Sequence, residues 1–160
     1  MIIKSPSGLW GLSMGGAYAA HAAAKSPGLW QTIVIVSSFD SLVGVIEDKL
    51  ADYPIPFPKA AKLILLGYIR LLGNINYNEV MSAYWSQTIT IPALIVHGDQ
   101  DKLIVFSRGK NLFASFKNSP QKQWLAINGA GHNDILVTKA PLYAAMSRWF
   151  LNYCKTVENK

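Results

Sequence analysis

Gly11-Leu12-Ser13-Met14-Gly15-Gly16 carries the pattern G-x-S-x-G and runs directly into an alanine-rich segment (Ala17, Ala19, Ala20, Ala22, Ala23, Ala24). A serine hydroxyl is a weak nucleophile until a base removes its proton, and it must stand clear of the backbone to react. A sharp strand-to-helix turn meets the second need by placing the serine at its apex in a strained conformation. The glycines flanking Ser13, Gly11 and Gly15, are expected there because side chains would collide with the neighbouring strand and helix. The alanines let the helix, expected over Met14 to Lys25, lie close to a sheet. Its N-terminus would face the serine, and the backbone N–H of Met14 is the expected donor to a developing oxyanion.

Working outward, short aliphatic runs alternate with longer amphipathic ones. Thr32–Val36, Ala93–Val96 and Gln123–Ile127 read as buried strands. Met14–Lys25 and about 41–51, 59–72, 106–116 and 136–154 read as helices. Strands that are apolar throughout, separated by helices, predict an α/β fold with a parallel sheet. Only Leu9-Trp10 reads as strand before the turn, since Ser5-Pro6-Ser7-Gly8 has loop composition. Residues 53–90 break the alternation. Tyr53-Pro54-Ile55-Pro56-Phe57-Pro58 is a stiff connector, and the helix after it is apolar except for a stripe of Lys59, Lys62 and Arg70. This insertion reads as a small helical cap within one domain, with binding to a membrane surface as the alternative.

Two later segments supply partners for Ser13. In Ile95-Val96-His97-Gly98-Asp99-Gln100-Asp101 a buried strand ends in a loop bearing acids, and groups that do chemistry gather at the carboxyl ends of parallel strands. Asp101 is the favoured orienting acid. Asp99 suits a turn, and Asp40 after the preceding strand is a third candidate. In Gly129-Ala130-Gly131-His132 a flexible run lets His132 bend back over the sheet as general base. His21, inside a helix, and His97, on a buried strand, read as structural. The order Ser13, Asp101, His132 differs from the orders of chymotrypsin-like and subtilisin-like enzymes.

Composition bounds the partners. A chain that is 51% hydrophobic and 15% charged is not disordered. The net charge of +6 includes five Lys/Arg and no acid between Lys102 and Asn133. This reads as a solvated helix surface, because Phe106, Phe113 and Phe116 fall on its buried side, so no nucleic-acid partner is expected. No apolar run reaches the ~18 residues of a spanning helix, and Met1–Pro6 does not read as a signal peptide. The single cysteine, Cys154, precludes an internal disulfide and fits a reducing, cytoplasmic setting. No metal or other cofactor is implied.

GLSMGG at 11–16, SSFDSL at 37–42, IPALIVHGDQD at 91–101 and GAGHNDIL at 129–136 together resemble the α/β-hydrolase superfamily. Within it they resemble the serine aminopeptidase S33-like and Bem46-like esterases. The resemblance implies a sheet of which this chain supplies family strands five to eight, a partial α/β-hydrolase fold. It also implies cleavage of an ester or similar acyl bond by Ser13, His132 and Asp101, and the apolar cap suggests that the small-molecule substrate is apolar. No HGGG-like or HGxG-like segment precedes Ser13 to supply a second oxyanion N–H, a loss that typically costs ~10²–10³ in rate. The first strand is expected to leave one edge open. Two further readings stand beside this: the loop-like start before Gly11 suggests an inactive fragment of such a hydrolase, and the open edge an interaction module that self-associates or needs a complementary chain.

Overall fold

The computed structural model describes residues 3–4, 7–77, 80–137, 140–155 and 157–158. Four parallel strands, β2 (Gly8–Leu12), β3 (Thr32–Val36), β4 (Ala93–Gly98) and β5 (Lys122–Ile127), lie side by side in sequence order. Their register aligns Gly11 with Ile35 and Ile35 with Ile95. Separately, β1 (Ile3–Lys4) pairs antiparallel with β6 (Val157–Glu158).

Side chains alternate across the sheet, and the two faces carry separate cores. Ile33, Ile35 and Ile95 pack on one face against Ala19, Ala20 and Ala23 of α1 (Met14–Lys25) and Leu112 of α5 (Phe106–Ser115). Val34, Val36, Leu94 and Val96 face the other way, onto Leu142, Met146 and Trp149 of α6 (Ala140–Tyr153). α6 is the one helix on this second face among the described residues, and Ala130 and Ile135 of the segment before it complete the cover. Trp149 Nε1–H also donates to Thr32 Oγ1 at 2.7 Å, tying the helix to the start of β3. The fold is that of a partial α/β hydrolase.

Several expectations shift by a few residues. β2 starts at Gly8, inside the stretch with loop composition, because Ser7, Gly8 and Leu9 lie along the fully buried β3. Ser7 O accepts from the Gln31 N–H at 2.8 Å. α6 starts at Ala140 and not at Leu136: residues 132–137 form turns, and Pro141 suits a first helical turn, where its missing N–H costs nothing. Residues 138–139, within the expected helix, lie outside the described residues, as do 1–2 and 5–6 of the opening segment.

Between β3 and β4 run α2 (Leu42–Ala51), α3 (Pro58–Leu71) and α4 (Ser82–Ser86). α2 and α3 pack on each other through Ile46, Leu66 and Ile69. α4 instead lies against α1 and α5, with Trp85 beside His21 at 4.5 Å between ring centroids. The latter part of the 53–90 segment therefore belongs to the layer covering the sheet. Residues 78–79 of that segment lie outside the described residues.

Candidate active site

The backbone at Ser13 is the starting point. Ser13 has φ 52° and ψ −122°, a combination sparsely populated for a residue with a Cβ. Three hydrogen bonds hold it there. Its N–H donates to Val36 O at 2.9 Å, and its carbonyl accepts from Gly16 N–H at 3.0 Å and from the Ser38 hydroxyl at 2.7 Å. Ser38, on the loop after β3, is a supporting residue that motif reading missed.

The tight positions around the turn are Gly11 and Gly16. A Cβ on Gly11 would meet the Gly15 carbonyl, and one on Gly16 would sit 2.7 Å from Ile35 Cγ2 and 2.8 Å from Ser38 Cβ. Gly15, expected to need its missing side chain, is exposed, and nothing lies within 4 Å of where its Cβ would be. The rotation of α1 puts residue 16, not 15, against the sheet.

Asp101 follows β4, with its side chain fully buried. Its Oδ1 accepts from the backbone N–H groups of Leu103 at 2.9 Å and Ile104 at 2.8 Å, which fixes the carboxylate plane. Its Oδ2 lies 2.8 Å from Nδ1 of His132. On the other side of that ring, Nε2 lies 3.0 Å from Ser13 Oγ. A carboxylate only accepts, so Nδ1 carries the ring proton and Nε2 is free to accept from the serine hydroxyl. In such an array the imidazole can take the hydroxyl proton while the buried carboxylate stabilises the resulting cation.

The loop bearing His132 is stitched to the loop bearing Asp101. Asp99 Oδ1 accepts from Gly129 N–H at 2.7 Å, and Gln100 N–H donates to Ala130 O at 3.0 Å. Gly129 takes φ 69°, where glycine carries no Cβ penalty. Asp134 Oδ1 accepts from Gly131 N–H at 2.6 Å. Asp99 is thus a turn residue. Met14 opens α1, so its N–H has no acceptor within the helix.

The other candidates lie elsewhere. Asp40 accepts from Ser41 N–H at 2.9 Å and faces Arg108 Nη1 at 3.3 Å. Arg108 also grips Asp48 with Nε at 2.8 Å and Nη2 at 2.9 Å, joining α5 to α2. That hydrogen bonding holds the Asp48 carboxyl below its ordinary range and pushes the Arg108 guanidinium up. His97 is fully buried, and its Nε2–H donates to Ile104 O at 2.9 Å. The same nitrogen lies 3.5 Å from Asp101 Oδ2, a contact that reading the sequence did not foresee. Burial lowers the His97 pKa from its ordinary value, which favours the neutral ring. Phe106, Phe113 and His97 surround Trp124, and Lys110 lies over the Trp124 ring at 4.5 Å, so this basic helix face is packed on aromatics rather than offering them to bases.

Beside His132 lies a shallow hollow of about 390 Å³, walled by Gln100, Lys102, Leu103, Gly131 and Asn133. No cluster of three or more His, Cys, Asp or Glu suited to a metal occurs among the described residues.

The family model described as the prolyl oligopeptidase family, peptidase S9, matches residues 2–156. The chain belongs to the prolyl oligopeptidase family. Among curated relatives of this family member, human α/β hydrolase domain-containing protein 17B is 45% identical over 47 residues, which are 29% of this chain and 16% of the relative. ABHD14B of Pongo abelii is 36% identical over 89 residues, 55% of this chain and 39% of the relative. The chain thus spans well under half the length of these relatives. A monoacylglycerol lipase of Paleococcus ferrophilus has the same fold, with TM-score 0.66 and 19% identity over 92% of this chain and 69% of the lipase.

Proposed function

We propose that the protein is a serine hydrolase that cleaves an ester or similar acyl bond, with Ser13 as nucleophile, His132 as general base and acid, and Asp101 orienting His132. The single observation that supports this most is the continuous chain Ser13 Oγ, His132 Nε2, His132 Nδ1, Asp101 Oδ2, with links of 3.0 and 2.8 Å. In the reaction, Ser13 Oγ bonds to the acyl carbon as its proton passes to His132 Nε2. The oxyanion so formed faces the helix start, where Met14 N–H donates. Collapse expels the alcohol, which takes the proton from His132. Water then attacks the acyl-serine with His132 again as base, releasing the acid and restoring Ser13.

Membership of a peptidase family fits acyl transfer in general. The preference for esters rests on the motif resemblance to S33-like and Bem46-like esterases. Residues 1–160 form one domain in this reading, and α3 with its connector is the cap. Labelling with a fluorophosphonate probe tests the proposal: the wild-type chain should be modified at Ser13, and Ser13→Ala should not. A folded wild-type chain that resists the probe would sink it.

A second reading is favoured by one observation. The outer edge of β2 pairs with no strand among the described residues, and Trp10 on it is exposed. A second copy or a complementary chain docked there would complete the sheet. Probe labelling that rises with protein concentration would support this reading.

A further inference from the structure

We propose that α3 docks the protein onto an anionic lipid surface, lying in the interface with its outer face in the acyl boundary. The proposal is independent of Ser13 chemistry. α3 has two apolar faces, and only one is used. Leu66 and Ile69 turn inward onto the cluster containing Leu42 and Ile46. Phe57, Ile64, Tyr68 and Leu71 recur at helical spacing on the opposite side and are 81%, 74%, 60% and 81% exposed. Leu63 and Leu72 widen this surface, at 68% and 72% exposed. Contiguous apolar exposure of this kind marks an interaction surface.

Charge selects the partner. From Tyr53 to Tyr77 the sequence holds Lys59, Lys62 and Arg70 and no acid. Lys62 is engaged by Glu47 at 2.8 Å, whereas Lys59 and Arg70 are exposed and make no ion pair among the described residues. On a helical wheel these two lie together along one edge of the outward apolar surface, next to Leu63. A cationic border beside an apolar face, with aromatic rings at Phe57 and Tyr68, suits anionic headgroups over acyl chains. The chain's net charge of +6 acts in the same direction. The helix has 14 residues, which at ~1.5 Å per residue is too short to span a ~30 Å core. It can therefore lie on a bilayer but not cross one.

Flotation with vesicles tests this, using phosphatidylcholine alone and an equal mixture of phosphatidylcholine and phosphatidylglycerol. The wild-type chain should float with the mixed vesicles, bind the neutral ones far more weakly, and be released by high salt. Ile64→Glu combined with Leu71→Glu should abolish binding while leaving the circular dichroism unchanged, since both side chains are exposed. Lys59→Gln with Arg70→Gln should weaken binding by about fivefold per charge removed. Ser13→Ala should bind like wild type even where it abolishes probe labelling. The proposal is overturned if wild type ignores mixed vesicles, or if binding survives Ile64→Glu/Leu71→Glu. It is equally overturned if those substitutions only dissociate a dimer seen by sedimentation.

Discussion

Asp101→Asn is the substitution that most directly probes the Ser13–His132–Asp101 array. Oδ1 of Asp101 is pinned by two backbone donors, Leu103 N–H and Ile104 N–H. In the asparagine variant the amide oxygen must stay with those donors, because an NH₂ group there would leave two N–H groups facing it. The NH₂ group then takes the place of Oδ2 and points at His132 Nδ1, 2.8 Å away. A donor facing Nδ1 forces the ring proton to Nε2, the atom that must accept from Ser13 Oγ. The base is thereby lost with almost no change in shape. His97 Nε2–H, 3.5 Å from Oδ2, adds a second donor facing the new amide. The expected loss is ~10⁴ in kcat, or ~5.5 kcal/mol on the barrier. The assay is hydrolysis of a p-nitrophenyl acyl ester together with the rate of fluorophosphonate labelling, with circular dichroism as the control for folding. Asp99→Asn keeps an acceptor for Gly129 N–H and should react like wild type. Asp40→Asn weakens the contact with Arg108 and should lower stability rather than kcat. An Asp101→Asn enzyme within about tenfold of wild type would refute the reasoning, since ~1.4 kcal/mol is the size of an ordinary hydrogen bond.

Three other expectations concern stability and are read by urea unfolding. Gly15→Ala should stabilise by up to ~1 kcal/mol, through helix propensity at an open position, whereas Gly16→Ala should destabilise by ~1–3 kcal/mol as its methyl meets Ile35 and Ser38. Burial lowers the His97 pKa from 6.5, so below that pH the unfolded chain binds a proton that the folded chain refuses. The His97 contribution is therefore complete above pH 6.5 and falls as pH drops from there toward the folded pKa, and His97→Asn should flatten that part of the stability profile. Trp149→Phe removes the donor to Thr32 Oγ1 and part of the core under β3, at a cost of ~1–3 kcal/mol.

The two sheet faces were legible because strand periodicity is local. Thr32 to Val36 is apolar enough to be buried on both sides, and its alternation assigns Ile33 and Ile35 to α1 and α5, and Val34 and Val36 to α6. The order Ser13, Asp101, His132 was legible for a different reason: each residue follows the end of an apolar strand, with glycines around Ser13 and before His132 and the single Gly98 before Asp101. What sequence reading missed depends on rotation or on distance. Whether Gly15 or Gly16 abuts β3 turns on one 100° step of α1, which the pattern G-x-S-x-G-G leaves undetermined. The Arg108 bridge to Asp40 and Asp48 joins residues 68 and 60 positions apart with no local signature. α4 is five residues long, too short to show a period, and is held by Trp85 against His21 and by the Ala83 N–H bond to Asp40 O rather than by its own propensity.

The same distinction bears on Ser38 and His97, the two unforeseen neighbours of the array. Each ends up beside it because β3 lies between β2 and β4, so that the carboxyl ends of neighbouring strands, His97 within β4 included, and the loops leaving them crowd together. Ser38 holds the Ser13 carbonyl, and His97 holds the Ile104 carbonyl beside the carboxylate of Asp101. The motif specifies which atoms could react. Parallel strand order, which no single motif encodes, determines which side chains keep those atoms in place.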